Sequence, residues 1–204
     1  MNNIILIGGG GHAYSCIDVI EAERKFQIIG LIDNKLSLNI KIINYKIIGN
    51  DSELLTIRKK CSNAVIAIGQ LKDPEPRMRA YDNLIKKEFV LPIIKSPNSY
   101  VSRHSKIGNG TIVMHGAIVN IDSAIGNNCI INTSSLIEHN TKIGSHCHIS
   151  TNATVNGHVI IGDQTFIGSG AIIHQGIEIG KNCVIGAGSI VRKNLQDSSI
   201  YNET

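Results

Sequence analysis

Tryptophan is absent from the 204 residues, and aromatic residues make up only 4%. Any core must therefore be built from aliphatic side chains, with isoleucine foremost. Charge of one sign is also scarce. Twenty Lys and Arg stand against sixteen Asp and Glu, a net charge of +4 that is not clustered, so neither a nucleic-acid nor a membrane-surface footprint is expected. The five cysteines (Cys16, Cys61, Cys129, Cys147, Cys183) are odd in number and include no CxxC pair. They read as small buried residues in a reducing compartment, not as a disulfide framework. No apolar run approaches the ~20 residues of a membrane-spanning helix. The opening MNNIILIGGGGH has no cationic stretch before its strand-like run, so no secretion signal is expected and a cytoplasmic location is.

Glycine and isoleucine are plentiful instead, and they are periodic. From Val101 to Val191 every sixth residue is Ile or Val, without an insertion. Four residues after each, the position is usually small, as at Ser105, Thr111, Ala117 and Cys129. The pair Ile-Gly recurs at 107, 125, 143, 161 and 179, every 18 residues. A six-residue period fits neither an α-helix nor a flat alternating sheet. It predicts a solenoid of three short strands per 18-residue coil, with the β-branched column pointing inward. At ~4.8 Å per coil, such a run makes a prism about 25 Å tall. A solenoid hides little surface alone, so self-association is expected.

The N-terminal half has α/β character. Strands are expected over 3–7, 27–33, 63–68 and 90–94, and helices over 12–23, 52–59 (with Asp51 as N-cap) and 75–87. Pro97 and Asn98 in KSPN mark a boundary, giving a Rossmann-like domain over 1–96 and a β-helical domain over 97–204. GGGGHA at 8–13 satisfies the G-x-G-x-x-A pattern between a strand and a helix, with Asp33 following 20 residues after Ala13. Backbone N–H groups at a helix N-terminus suit phosphate, and an acid there suits a ribose. A tight glycine turn without a ligand remains open. Fewer than 100 residues hold only one mononucleotide-binding half, which favours a nucleotide or nucleotide-sugar over NAD. His12 can donate to a phosphate or sugar hydroxyl, or cap the helix.

Together, GGGGH (8–12), LIDN (31–34), AIG (67–69), INTSSLIEHN (131–140), IGSHCHIS (143–150) and GAGSIVRKN (186–194) resemble the bacterial sugar acetyltransferases that modify sialic acid, bacillosamine and related amino sugars. The resemblance implies a left-handed parallel β-helix, a homotrimer with active sites between subunits, and acetyl-CoA lying between neighbouring helices. It implies N-acetylation of a nucleotide-linked 4-amino-4,6-dideoxy sugar, with closest likeness to enzymes acting on UDP-linked sugars. By the same resemblance His139 is the general base, with Asn140 beside it as a further catalytic candidate, and His148 contacts the acyl donor. Asn132 lies near the active site. Gly157, Ser169 and Ala187 line the coenzyme groove, and Gly10, Gly11, His12, Asp33, Asn34 and Gly69 hold the nucleotide-sugar. Two positions depart from the family: Asn140 stands where an acid commonly follows the base, and Asn34 where a second acid often ends strand two. The C-terminal SSIYNET lacks the usual glycine-proline tail.

Acetyl transfer to an amine needs a neutral nucleophile, a base and donors for the oxyanion. Histidine suits the base, and a backbone N–H of Gly157, one coil above, suits the oxyanion. The ring is then oriented by backbone carbonyls, by Asn140 or by Glu138. His104, His115 and His174 read as surface residues. His139, His146, His148 and His158 raise a zinc site, but no acid partners stand beside them and no metal is expected. Sialic acid O-acetylation is the alternative activity. A non-catalytic trimeric scaffold or a metal-dependent β-helix hydratase stands behind it.

Overall fold

The computed structural model describes residues 1–203. The N-terminal unit runs β1 (Asn2–Ile7), α1 (Gly11–Glu23), β2 (Phe26–Ile32), β3 (Lys41–Ile42), β4 (Tyr45–Gly49), α2 (Leu54–Arg58), β5 (Asn63–Ile66) and α3 (Glu75–Lys86). Its sheet has the order β3-β4-β2-β1-β5, parallel except for the β3–β4 hairpin. Ile4, Ile5, Leu6, Leu31, Val65 and Ile66 are buried between the layers, as expected of strands covered on both faces.

One element is added to the expected set and two expectations are corrected. A hairpin forms over 41–49, where the sequence shows too little alternation to mark strands. The helix after β4 is capped by Asn50, not Asp51: the Asn50 side chain accepts from Ser52 N–H while Glu53 reaches back to Asn50 N–H, a reciprocal capping box around a single 3₁₀ turn. The strand expected over 90–94 is only a bridge, Val90 to Asn63. Ile94–Lys95 instead pairs with Ile112–Val113 and opens the solenoid.

The C-terminal half is a three-sided parallel β-helix of two-residue strands. The first face stacks Ile94–Lys95, Ile112–Val113, Ile130–Ile131, His148–Ile149, Phe166–Ile167, Val184–Ile185 and Ile200–Tyr201. The second stacks Tyr100–Val101, Ile118–Val119, Leu136–Ile137, Thr154–Val155, Ile172–Ile173 and Ile190–Val191. The third stacks Lys106–Ile107, Ala124–Ile125, Lys142–Ile143, Ile160–Ile161 and Glu178–Ile179. Each residue therefore lies over the one 18 positions earlier, as in Ile137 on Val119 and Val155 on Ile137. The second residue of nearly every strand is buried in one continuous cluster, each contributing roughly 1.5–3 kcal/mol. The small residues four positions on, such as Thr111, Cys129 and Thr165, are buried just ahead of the next strand.

The Ile-Gly pairs have a steric cause. A Cβ on Gly126 would stand 2.6 Å from the carbonyl carbon of Gly144, and one on Gly162 2.6 Å from Lys181 N, so only glycine lets successive coils close at that corner. Other corners use a residue in the left-handed region, among them Asp122, Asn128, Asn140 and His158, with φ between 54° and 59°. Asn and Asp are the cheapest non-glycine residues there.

The two units share a core. Helix α1 lies against the first face, and Ile94, Ile112 and Ile130 join Ala13, Ile17 and Ile20 in one cluster. His115, read above as a surface residue, is instead a tie between the units. Its Nδ1 lies 2.6 Å from Ser96 Oγ and its Nε2 2.9 Å from Asp18 Oδ2. His104 and His174 are exposed, and all five cysteines are buried and free. Among the described residues, no helix is long and apolar enough to cross a membrane.

Candidate active site

The expected site residues fall into two groups on different sides of the prism. His139 follows the second-face strand Leu136–Ile137 and precedes the third-face strand Lys142–Ile143. It therefore occupies the corner opposite the first face. Asn132 follows the first-face strand Ile130–Ile131 and His148 begins the first-face strand above it, on the side that carries the N-terminal unit.

At the His139 corner the 18-residue stride brings three coils together. The His139 ring lies over Gly157: a Cβ there would stand 2.8 Å from Cε1 and 2.9 Å from Nε2. Gly157 thus provides the space in which the imidazole rests. Its own N–H finds no acceptor among the described residues. Nδ1 of His139 lies 2.8 Å from Asn140 Oδ1, and Asn140 Nδ2 donates to Asp122 Oδ2 at 2.6 Å. An amide oxygen only accepts, so Nδ1 carries the proton and Nε2 keeps a free lone pair. Glu138 does not reach the ring. Its Oε2 accepts from Asn120 Nδ2 at 3.0 Å and from the His139 backbone N–H at 3.3 Å. His158 stands edge-on to the His139 ring at 5.3 Å. A groove of about 420 Å³ opens along this corner, lined by His104, Lys106, Asp122, Asn140, Lys142 and His158.

On the first-face side, His148 is buried and both ring nitrogens are engaged. Nδ1–H donates to the Gln70 carbonyl, and Nε2 accepts from Asn132 Nδ2 at 3.0 Å. Burial pushes His148 down to about 4, against the Gln70 bond and with the charge of Arg77 adding to the shift. His12, at the start of α1, packs its Cβ 3.4 Å from the Cβ position of Gly69. Its Nε2 is enclosed without a partner. Burial, then Arg77 and His148, push it down to about 3. Arg77 itself, 1% exposed, has no carboxylate partner. It donates to the carbonyls of Ile66 and Ile68 in the N-terminal unit, and to Asn128 Oδ1 at 2.8 Å in the β-helix. Its charge sits where both histidines must stay neutral.

The glycine loop divides by role. Gly8 is required by its backbone (φ +100°) and by Ile68, 2.7 Å from where its Cβ would stand, while Gly9 packs closely on the Leu36 side chain. Gly10 and Gly11 face open space at the start of α1, the arrangement that leaves backbone N–H groups for an anion. Asp33 braces this loop: Oδ2 accepts from Gly9 N–H, and Oδ1 from Lys35 and Leu36 N–H. Burial works to raise its carboxyl, but these three donors and the Lys35 charge outweigh it and hold it below the usual range. Asn34 Oδ1 accepts from Asp51 N–H at 3.0 Å. Ser169 bonds Ser150 at 2.9 Å, and Ser169 and Ala187 are exposed at the corner between first and second faces. That places them apart from Gly157, on the other side of the second face.

Asp122, Gln70, Arg77 and Asn128 join the site without having been marked by the sequence motifs. Asp122 was reachable from the sequence, being 18 residues before Asn140 and so directly beneath it. Arg77 lies in a helix whose charged pattern reads as a solvated face. Among the described residues no three His, Cys, Asp or Glu are grouped to hold a metal ion.

The neutral histidines generate a prediction. An unfolded chain protonates His12 and His148 near pH 6.5, whereas the folded chain holds them neutral to about 3 and about 4. The unfolded state therefore binds more protons below pH 6.5, and stability falls as the pH drops from there towards 4. Urea midpoints at pH 7, 5.5 and 4.5 should decline, and His148→Gln should flatten the decline. Midpoints that stay level in the parent contradict the neutral pair.

Residues 3–84 match the PglD N-terminal domain, residues 122–157 the bacterial transferase hexapeptide (six repeats), and residues 158–193 the hexapeptide repeat of succinyl-transferase. Among solved structures, the chain is similar to perosamine N-acetyltransferase (PerB) from Caulobacter crescentus in complex with CoA and GDP-perosamine. The identity is 29% and the TM-score 0.91, over 98% of this chain and 93% of that one. It is similar to the acetyltransferase domain of PglB from Neisseria gonorrhoeae in complex with acetyl coenzyme A, at 25% identity and TM-score 0.91, over 98% of this chain and 96% of that one. WeeI from Acinetobacter baumannii, 22% identical, shares the fold with a TM-score of 0.85 over 98% and 96% of the two chains. No curated protein sequence matches the chain. The solenoid is the left-handed β-helix of these transferases, and the chain joins a PglD-type N-terminal domain to bacterial transferase hexapeptide repeats.

Proposed function

We propose that the protein transfers acetyl from acetyl-CoA to the amino group of a nucleotide-linked 4-amino-4,6-dideoxy sugar. The observation that carries this is the His139 corner: an imidazole with a free Nε2 lone pair, set against Gly157 with its unused N–H. The relatives with CoA, acetyl-CoA or GDP-perosamine bound support the choice of donor and acceptor.

The coenzyme groove runs between copies, lined from this corner by Gly157 and from the corner across the second face by Ser169 and Ala187, where Gly170 and Gly188 face open space. Acetyl-CoA, when bound, supplies the acetyl thioester. His139 Nε2 takes the proton shed by the sugar amine as its nitrogen bonds to the thioester carbon, and returns it to the departing thiol. Gly157 N–H donates to the carbonyl oxygen as negative charge builds there. On the other side, Gly10, Gly11 and His12 at the start of α1 receive the nucleotide-sugar. Asp33 acts by holding the loop, Asn34 by tying it to Asp51, and His148 and Asn132 by fixing the Gln70 segment beside His12.

Because the two groups lie on different sides of one prism, the site is complete only between copies. The outward positions of the second face, Tyr100, Ile118, Leu136, Thr154, Ile172 and Ile190, are mostly apolar, with Tyr100, Ile118 and Ile172 exposed. Burying that stripe about a threefold axis gives a homotrimer with a site at each junction. Five free buried thiols suit the reducing cytoplasm, and a division close to 96/97, just past the first rung at Ile94–Lys95, separates nucleotide-sugar binding from catalysis.

Thiol release from acetyl-CoA should be stimulated by one or more members of a panel of UDP-, GDP- and dTDP-linked 4-amino sugars. Release only with sialic acids makes the protein an O-acetyltransferase instead, and none with any acceptor overturns transfer. Gly157→Ala, whose Cβ intrudes on the His139 ring, should lower kcat about tenfold or more, part of the roughly 10²–10⁴-fold that a general base supplies, with an unchanged melting temperature. Full activity in that variant contradicts the placement of the ring.

A further inference from the structure

We propose that Asp122, one coil below the base, is the positioning residue that fixes the tautomer of His139, acting through the Asn140 amide. The inference rests on the assignment of His139 above, and it accounts for an amide where a carboxylate would do the work directly.

A side-chain amide has one donating and one accepting end, and rotation by half a turn exchanges them. With Nδ2 towards His139, Asn140 would call for an unprotonated Nδ1 and leave the proton on Nε2, which abolishes the lone pair that a base needs. Asp122 forbids that orientation. Its carboxylate only accepts, so at 2.6 Å it takes the Nδ2 end. The Oδ1 end is then committed to His139 at 2.8 Å, and Nδ1 must carry the proton. One acid thus sets the polarity of a three-residue chain without touching the imidazole.

The backbone supports the same reading. Asp122 and Asn140 are both left-handed corner residues with φ of 59°, stacked by the pairing of Ala124–Ile125 with Lys142–Ile143. Their side chains leave the coil in the same direction, and Asn140 N–H is fixed to the Ile121 carbonyl at 3.2 Å. Asp122 is exposed and makes no other side-chain bond among the described residues, so Asn140 is its task.

A four-member kinetic cycle tests this: the parent, Asp122→Gly, Asn140→Asp and the double variant. Glycine suits the left-handed corner, as at Gly110 and Gly116, so Asp122→Gly removes the acceptor without backbone strain. It should lower kcat about tenfold, with KM for both substrates within about twofold and the melting temperature unchanged. In the Asn140→Asp background the new carboxylate meets Nδ1–H directly, and Asp122 becomes a like charge beside it. There Asp122→Gly should raise kcat or leave it level. A parent unaffected by Asp122→Gly, or an equal loss in both backgrounds, overturns the proposal. Nitrogen-15 spectra of the ligand-free protein separate it from the assignment of function. His139 should be protonated on Nδ1 in the parent and mixed in Asp122→Gly. A proton on Nε2 in the parent overturns the relay whatever the activity, while an Nδ1 proton in a protein that acetylates no sugar overturns the function alone.

Discussion

The stacking of one interior Ile or Val on the next, 18 residues apart, is the contact on which the other features depend. Val119, Ile137, Val155 and Ile173 form one such column and Ile131, Ile149 and Ile167 another, all buried. A slip of one residue would turn each column outward, so register is strongly set. Once it is set, corners become columns too. That is why Gly157 lies over His139 and Asp122 under Asn140, although each pair is 18 residues apart. Under the proposed function, an arrangement that elsewhere needs loops from distant elements is here produced by a repeat, and a repeat is rigid. Each neighbour of His139 is held by ladder hydrogen bonds within a few residues, as at Glu138 N–H to Val155 and His158 N–H to the His139 carbonyl.

The N-terminal unit is fastened to the first face by a different kind of contact. Arg77 is a cation without a counter-ion, solvated by carbonyls from both units. Burial lowers it to about 10 and leaves it charged at neutral pH. Such a group is costly to strip of its partners, so the two units are specified to meet in one way. Its field also disfavours protonation of His12 and His148. One residue therefore couples the seating of the N-terminal unit to the charge state of the first-face half of the site.

The β-helix was legible in the sequence because its signal is redundant: the same residue class recurs at every rung. The glycine loop, β1, α1 and β2 were legible because glycine marks a turn that few other residues can make. The hairpin at 41–49 was not, since its two short strands show little alternation. Asn50 and Asp51 look alike as cap candidates in sequence, because a cap is decided by which side chain reaches an N–H. Among site residues, His139 and Asn140 stand out by motif. Asp122 becomes visible only when the 18-residue stride is applied to polar corner positions as well as to apolar rungs. Arg77 and Gln70 carry no sequence signal, because their roles depend on how two units meet.

The account stands on a division within the chain. On the proposed reading the base and its oxyanion donor occupy one corner, the polar cluster around His12 lies on the opposite face, and a partner copy joins them. Co-expression of His139→Ala with His12→Ala, on differently tagged chains each inactive alone, measures this directly. A threefold assembly that contains both variants keeps both halves intact at one junction only, so the isolated mixed species should recover roughly a third of the parent's transfer rate. A mixed assembly as inactive as either variant alone would contradict a site shared between copies.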